Sequence, residues 1–96
     1  SEAAEDLKQI FGAVKGAFKS SIDARAGMDM KSVRLVVKGE EEVDNLEEEM
    51  RERHIRRLSE NLCEASRGVI FLDVVSNLER ISDHALNIAG YVRDEL

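Results

Sequence analysis

The sequence predicts an all-α protein, an antiparallel three-helix bundle running up, down and up, and three observations carry that reading. There is no Pro in the 96 residues, aromatic residues make up 4% and charged residues 35%. Apolar residues recur at steps of three and four along three long stretches, the period of one helix face. A sandwich or barrel would instead show turn punctuation and aromatic or β-branched runs. The length suits one domain spanning residues 1–96.

The first stretch carries Leu7, Phe11, Val14, Phe18, Ile22 and Ala26, which predicts a helix over about 3–26 with that stripe inward. Gly27 suits a left-handed C-terminal cap, and Asp29 suits the N-cap of the next helix. That second helix is expected over about 29–60, with Val33, Val36, Val43, Leu46, Met50, His54 and Leu58 as its stripe. Val33 to Val37 has strand propensity, but no second strand exists for it to pair with. Gly39 sits inside this helix at a cost of about 1 kcal/mol relative to Ala.

A short connection follows at 61–64, where Asn61 suits a left-handed cap and Glu64 suits the positive end of the next helix. The third helix is expected over about 65–95, with Ile70, Val74, Leu78, Ile81, Ala85, Ile88 and Val92 inward. The second and third helices outreach the first, which leaves them partly uncovered and favours a partner surface.

A net charge of −6 argues against nucleic acid or an anionic membrane as partner and favours cations. Cys63 is the single cysteine, so no internal disulfide forms and a reducing, cytoplasmic setting is expected. No apolar run reaches the roughly 18–20 residues that span a bilayer. The chain opens at Ser1 rather than Met, which fits a fragment of a longer protein, including the cytosolic portion of a membrane protein.

Two acidic features bear on function. Residues 40–49 read EEEVDNLEEE and are followed by RERHIRR at 51–57. Glu47–Arg51, Glu49–Arg53 and Glu52–Arg56 can pair at i,i+4 for a few tenths of a kcal/mol each. In NLERISDHALNIA, Glu79, Asp83 and Asn87 form a ridge of oxygens on one side of the third helix, nearly opposite the predicted apolar stripe. The second helix carries its own Glu40 and Asp44 at the same spacing. An antiparallel hairpin centred near residues 62–63 sets Glu40 level with Ala85 and Asp44 level with Ile81, so the two pairs share a height. Leu72, Val75 and Leu86 share the ridge's side of the helix, so that side is not simply solvated.

RLSENLCEASRGVIFLDVVSNLERISDHALNIA resembles the closing portion of the PhoU domain family, notably the PhoU-like domains attached to bacterial sodium/phosphate cotransporters. Arg57, Leu58, Cys63, Gly68, Phe71 and Asp73 match, as do Asn77 to Ile81, Asp83 to Ala85 and Asn87 to Ala89. EEEVD, ending at Asp44, is similar to the family's acidic motif on the preceding helix. Asn61, Ala65, Ser82 and Gly90 depart from its pattern, and Gly90 removes one candidate ligand.

The resemblance implies a regulator of phosphate transport and homeostasis whose carboxylates hold a divalent or trivalent metal such as iron or zinc. Carried over by position, the ligands would be Glu40, Asp44, Glu79 and Asp83, with Asn87 alongside. Carboxylate and amide oxygens favour hard or borderline cations. The family resembles two three-helix repeats and this chain has length for one, a half repeat. It is therefore expected to form a homodimer through Leu72, Val75 and Leu86, or through Val33 and Val37. A membrane phosphate transporter or a sensor kinase is the implied partner.

The chain is expected not to be an enzyme. Di-metal oxidases need Glu-x-x-His pairs, and neither His54 nor His84 has a Glu three residues before it. His54 falls on the apolar stripe, where a hydrogen-bonded core or interface role suits it. The competing reading is a metal-free helical dimerisation module with the same fold.

Overall fold

The computed structural model describes residues 2–61 and 65–96. It contains three helices, α1 (Glu2–Gly27), α2 (Met30–Ser59) and α3 (Ala65–Glu95), and no strand among the described residues. They pack as an up-down-up rod with extents of 51 × 17 × 16 Å. Val33 to Val37 is helical throughout.

Local chemistry sets the helix ends. Asp29 caps α2: its carboxylate accepts the Lys31 backbone N–H at 3.0 Å and the Ser32 hydroxyl at 2.9 Å. The Ser32 hydroxyl, then the Lys31 amide, holds the Asp29 carboxyl below its usual range. The left-handed turn residue between α1 and α2 is Met28, at φ 49°, and not Gly27 as its residue type suggested. After α2, Asn61 takes the expected left-handed conformation at φ 56° and its N–H reaches the Leu58 carbonyl at 3.2 Å. Glu64 and Cys63 lie outside the described residues.

The core divides into two layers. Ile10, Val14, Val43, Met50, Phe71, Val75 and Leu78 fill one. Ala17, Ala24, Val33, Val36, Ala85, Ala89 and Val92 fill the other. The second layer is made mainly of small side chains because α1 and α2 approach closely there. A Cβ on Gly39 would stand 3.2 Å from the Ala17 Cβ, so glycine accepts its helix-propensity cost for that packing.

The expected stripe of α2 holds except at its end, where Leu58 is exposed. The stripes of α1 and α3 are corrected. α1 buries Asp6, Ile10, Val14, Ala17, Ser21 and Ala24, while Phe11, Phe18 and Ile22 are exposed. α3 buries Phe71, Val75, Leu78, Ser82, Ala85, Ala89 and Val92, while Ile70, Val74 and Ile81 are exposed. Each true core face lies less than a third of a turn from the predicted one, at about 100° per residue. Both helices thus carry two apolar stripes, and the closer-packing one faces inward.

Val75 is fully buried in the chain's own core, so it is not an interface residue. Leu72 is half-buried and packs against the same layer, and Leu86 is half-buried beside Val33 and Val37. Of the three, only Val75 is fully enclosed by the chain's own core.

Candidate metal centre

The ridge on α3 and the acidic run on α2 meet. Carboxylate oxygens of Asp44, Glu47 and Glu79 all lie within 4.8 Å of one another. Asp44 is exposed, and Glu47 and Glu79 are half-buried. Two of the three were expected from sequence. Glu47 was assigned only to an ion pair with Arg51, and that pair forms, with Nε 2.6 Å from Oε1. Its place in this group was legible in the spacing, since Asp44 and Glu47 stand three apart on one helix face.

Glu40 and Asp83 flank this group one turn away. Partial burial pushes the Glu40 carboxyl up to about 7, followed by a side-chain hydrogen bond with Asp44 and the charges of Asp44, Asp83 and Glu41. Like charges held close cannot all ionise together. Asp83 itself is exposed, and Asn87 is exposed and lines a groove with Val33, Val37 and Leu86. The predicted shared height is therefore close to what is seen, with Asp44 beside Glu79 and Glu40 within the field of Asp83.

The donor set fits a hard or borderline cation. Its atoms are carboxylate oxygens, near enough that one ion can meet three of them. Arg51 offsets one negative charge through Glu47. The proton retained by Glu40 is one way to neutralise the remainder, and a bound cation is another. His84 is exposed on the same helix, and His54 lies in the core, away from this group.

A second charged cluster, where the start of α1 meets the last turns of α2, was not foreseen. Asp6, buried on the α1 core face, accepts Arg53 Nη2 at 2.7 Å and Nε at 3.1 Å. Arg57 Nη1 reaches Glu2 at 2.8 Å and Asp6 at 3.4 Å. Arg56 turns to Glu2 at 2.7 Å, so the expected Glu52–Arg56 pair does not form, whereas Glu49–Arg53 closes only to 3.8 Å. The Asp6 hydrogen bond raises the pKa of Arg53.

Beside this cluster His54 stacks on Phe71 with ring centroids 5.3 Å apart, and the Arg57 guanidinium lies 5.4 Å from the same ring. Burial, then the Arg57 charge, lowers the His54 pKa. His54 is a core histidine as expected, but its Nδ1 has no hydrogen-bond partner. The α1–α2 ion pairs join segments about fifty residues apart, a relation that no local sequence pattern announces.

A family model for the PhoU domain matches residues 7–92. Searches of curated proteins and of solved structures each returned no significant match. The motifs of α2 and α3, the three-helix fold and that match, which covers nearly the whole chain, lead to one statement: the chain belongs to the PhoU domain family.

Proposed function

We propose that the chain is a regulatory module of phosphate homeostasis whose α2–α3 ridge binds a metal cation, iron or zinc being the leading candidates. The observation that carries the cation reading is the convergence of Asp44, Glu47 and Glu79 oxygens within 4.8 Å. Glu40, protonated to about pH 7 beside them, supports it, because a group poised near neutrality exchanges its proton for a cation at little cost. Family membership supports the phosphate role and a regulatory rather than catalytic one. Asp83 would add outer charge, and Asn87 would stand at the margin.

No helix among the described residues is long and apolar enough to cross a membrane. We place the module on the cytoplasmic side, acting as a homodimer on a membrane phosphate transporter. A domain of a sodium/phosphate cotransporter is the arrangement that the α3 motif favours.

The test is metal uptake by wild type and by Asp44→Asn/Glu79→Gln, measured by elemental analysis and by melting with added iron or zinc. Metal should raise the melting temperature of wild type alone, since a ligand of the native state stabilises it by mass action. An equal response in both proteins removes the ridge as the site. No uptake by wild type favours the metal-free dimerisation module. Phosphate uptake by cells carrying each form in place of the native chain then reads the regulatory role.

A further inference from the structure

We infer that the outer face of α1 is a docking surface for an anionic lipid bilayer, on which the rod lies lengthwise. Asp and Glu make up 20 of the 96 residues, yet the segment 7–22, LKQIFGAVKGAFKSSI, contains neither and carries three lysines. Lys8, Lys15 and Lys19 are exposed and enter no ion pair among the described residues. By contrast, Arg51, Arg53, Arg56 and Arg57 are all paired with carboxylates. Phe11, Phe18 and Ile22 are 57%, 48% and 49% exposed. Both sets follow steps of seven and four, so a basic row runs beside an apolar row about 60° away around the helix. That is the pattern of a helix lying in a membrane interface.

The net charge of −6, which disfavours such a surface for the chain as a whole, is unevenly placed. Asp44, Glu47 and Glu79 gather between α2 and α3, on the side of the rod away from the outer face of α1. Glu42 lines the groove between α1 and α2 and shares it with Lys38. The rod is 17 × 16 Å in cross-section, about two Debye lengths at physiological ionic strength. A surface touching α1 therefore meets the lysines directly, while the acidic ridge is mostly screened from it.

Residue type selects lipid over a protein partner. Protein interfaces enrich Arg and deplete Lys, because the guanidinium fork matches fixed partners while the ammonium is a hydrated point charge. A row of lysines suits headgroup phosphates, which have no fixed register. The aliphatic stems lie along apolar surface while the ammonium groups reach out to the headgroups. Lys15, Lys19, Phe18 and Ile22 border one open hollow over Gly12 and Gly16, with Asp23 as its acidic member. Nothing stands within 4 Å of a Cβ at either glycine, so a headgroup can approach the helix backbone there. With α1 against the bilayer, the α2–α3 ridge stays open to solvent.

Co-sedimentation of the chain with vesicles tests the inference. It should bind vesicles of equal parts phosphatidylglycerol and phosphatidylcholine, fail to bind phosphatidylcholine alone, and dissociate as salt rises from about 0.05 M to about 0.5 M. Lys15→Gln/Lys19→Gln should keep the helical circular dichroism and weaken binding about 30-fold, roughly fivefold for each lysine. Arg34→Gln/Lys38→Gln removes the same charge from α2 and should shift binding less than about twofold. In Phe18→Trp the indole emission should move to shorter wavelength on the anionic vesicles, as the ring enters the headgroup–acyl boundary. No preference for the anionic vesicles at low salt overturns the inference, as does equal loss in the two double variants or an emission unmoved by bound lipid. Capture of a synthetic acidic amphipathic helix through Lys15 and Lys19, with no vesicle binding, assigns the face to a protein partner and equally overturns it.

Discussion

Glu40 offers the sharpest measurement on the ridge. Its carboxyl is raised from the ordinary 4.5 to about 7, by burial first and by Asp44 next. Below about pH 4.5 both the folded and unfolded chains hold this proton, and the group contributes no pH dependence. Between about 4.5 and 7 the folded chain keeps the proton that the unfolded chain has shed, so stability falls as pH rises. Above about 7 both are ionised and the penalty is constant.

At about 1.4 kcal/mol per pH unit the full displacement would amount to about 3 kcal/mol. Glu40 keeps part of its side chain in water, and screening there reduces the expected effect to about 1–2 kcal/mol. Glu40→Gln removes the ionisable group while preserving shape. The variant should therefore melt roughly 5–10 °C above wild type at pH 8, with the advantage fading toward pH 4. Urea denaturation across that range, without metal, reads the difference directly. A gap between the two proteins that does not change with pH, or a variant less stable at pH 8, would refute the account of Glu40. With metal, wild-type affinity should climb about tenfold per pH unit below pH 7, because binding displaces one proton.

Three further outcomes follow from the same structure. Asp44→Asn should lower the Glu40 titration midpoint more than Asp83→Asn, since Asp44 acts on it through both a hydrogen bond and charge; carboxyl carbon shifts followed by NMR measure both, and the reverse order would contradict the geometry. Gly68→Ala should cost about 1–3 kcal/mol, because its Cβ would meet His54 Cε1 at 2.6 Å and that ring is stacked on Phe71. In a His54→Ala background the same change should cost little, and a persistent loss would place the clash elsewhere. Asp6→Ala should cost about 3–5 kcal/mol by leaving the guanidinium groups of Arg53 and Arg57 without their buried partner, and a loss under 1 kcal/mol in denaturant would show the cluster to be ornamental.

How far the sequence could be read differs from residue to residue. The helices were legible to within one or two residues because Asp29, Asn61 and the absence of Pro act locally. The height of the ridge was legible because a hairpin fixes which turns stand side by side, and Asp44 and Glu79 needed only that. Glu47 was hidden by its obvious partner Arg51. Asp6 was hidden because its partners lie on another helix, and an acidic residue on an apolar face reads as noise until Arg53 and Arg57 are seen around it.

The direction of α1 and α3 misled for a more informative reason. By hydrophobicity alone, Phe11, Phe18, Ile22, Ile70 and Ile81 belong inside, and Ala17, Ser21, Ser82, Ala85 and Ala89 do not. The chain does the opposite. Small side chains permit the close helix approach seen where Gly39 meets Ala17, and interior packing density repays that approach with dispersion contacts spread over the interface. A chain with no outer contact would gain solubility by placing polar residues where Phe11 and Phe18 stand, at no loss to this core. Phe11 and Phe18, set seven residues apart, and Ile70, Val74 and Ile81 on α3 instead make a second, exposed apolar stripe on each helix. Only one of the two stripes on each helix fills the core of the three-helix rod, which is why a single-face reading of either helix recovers only half of its pattern.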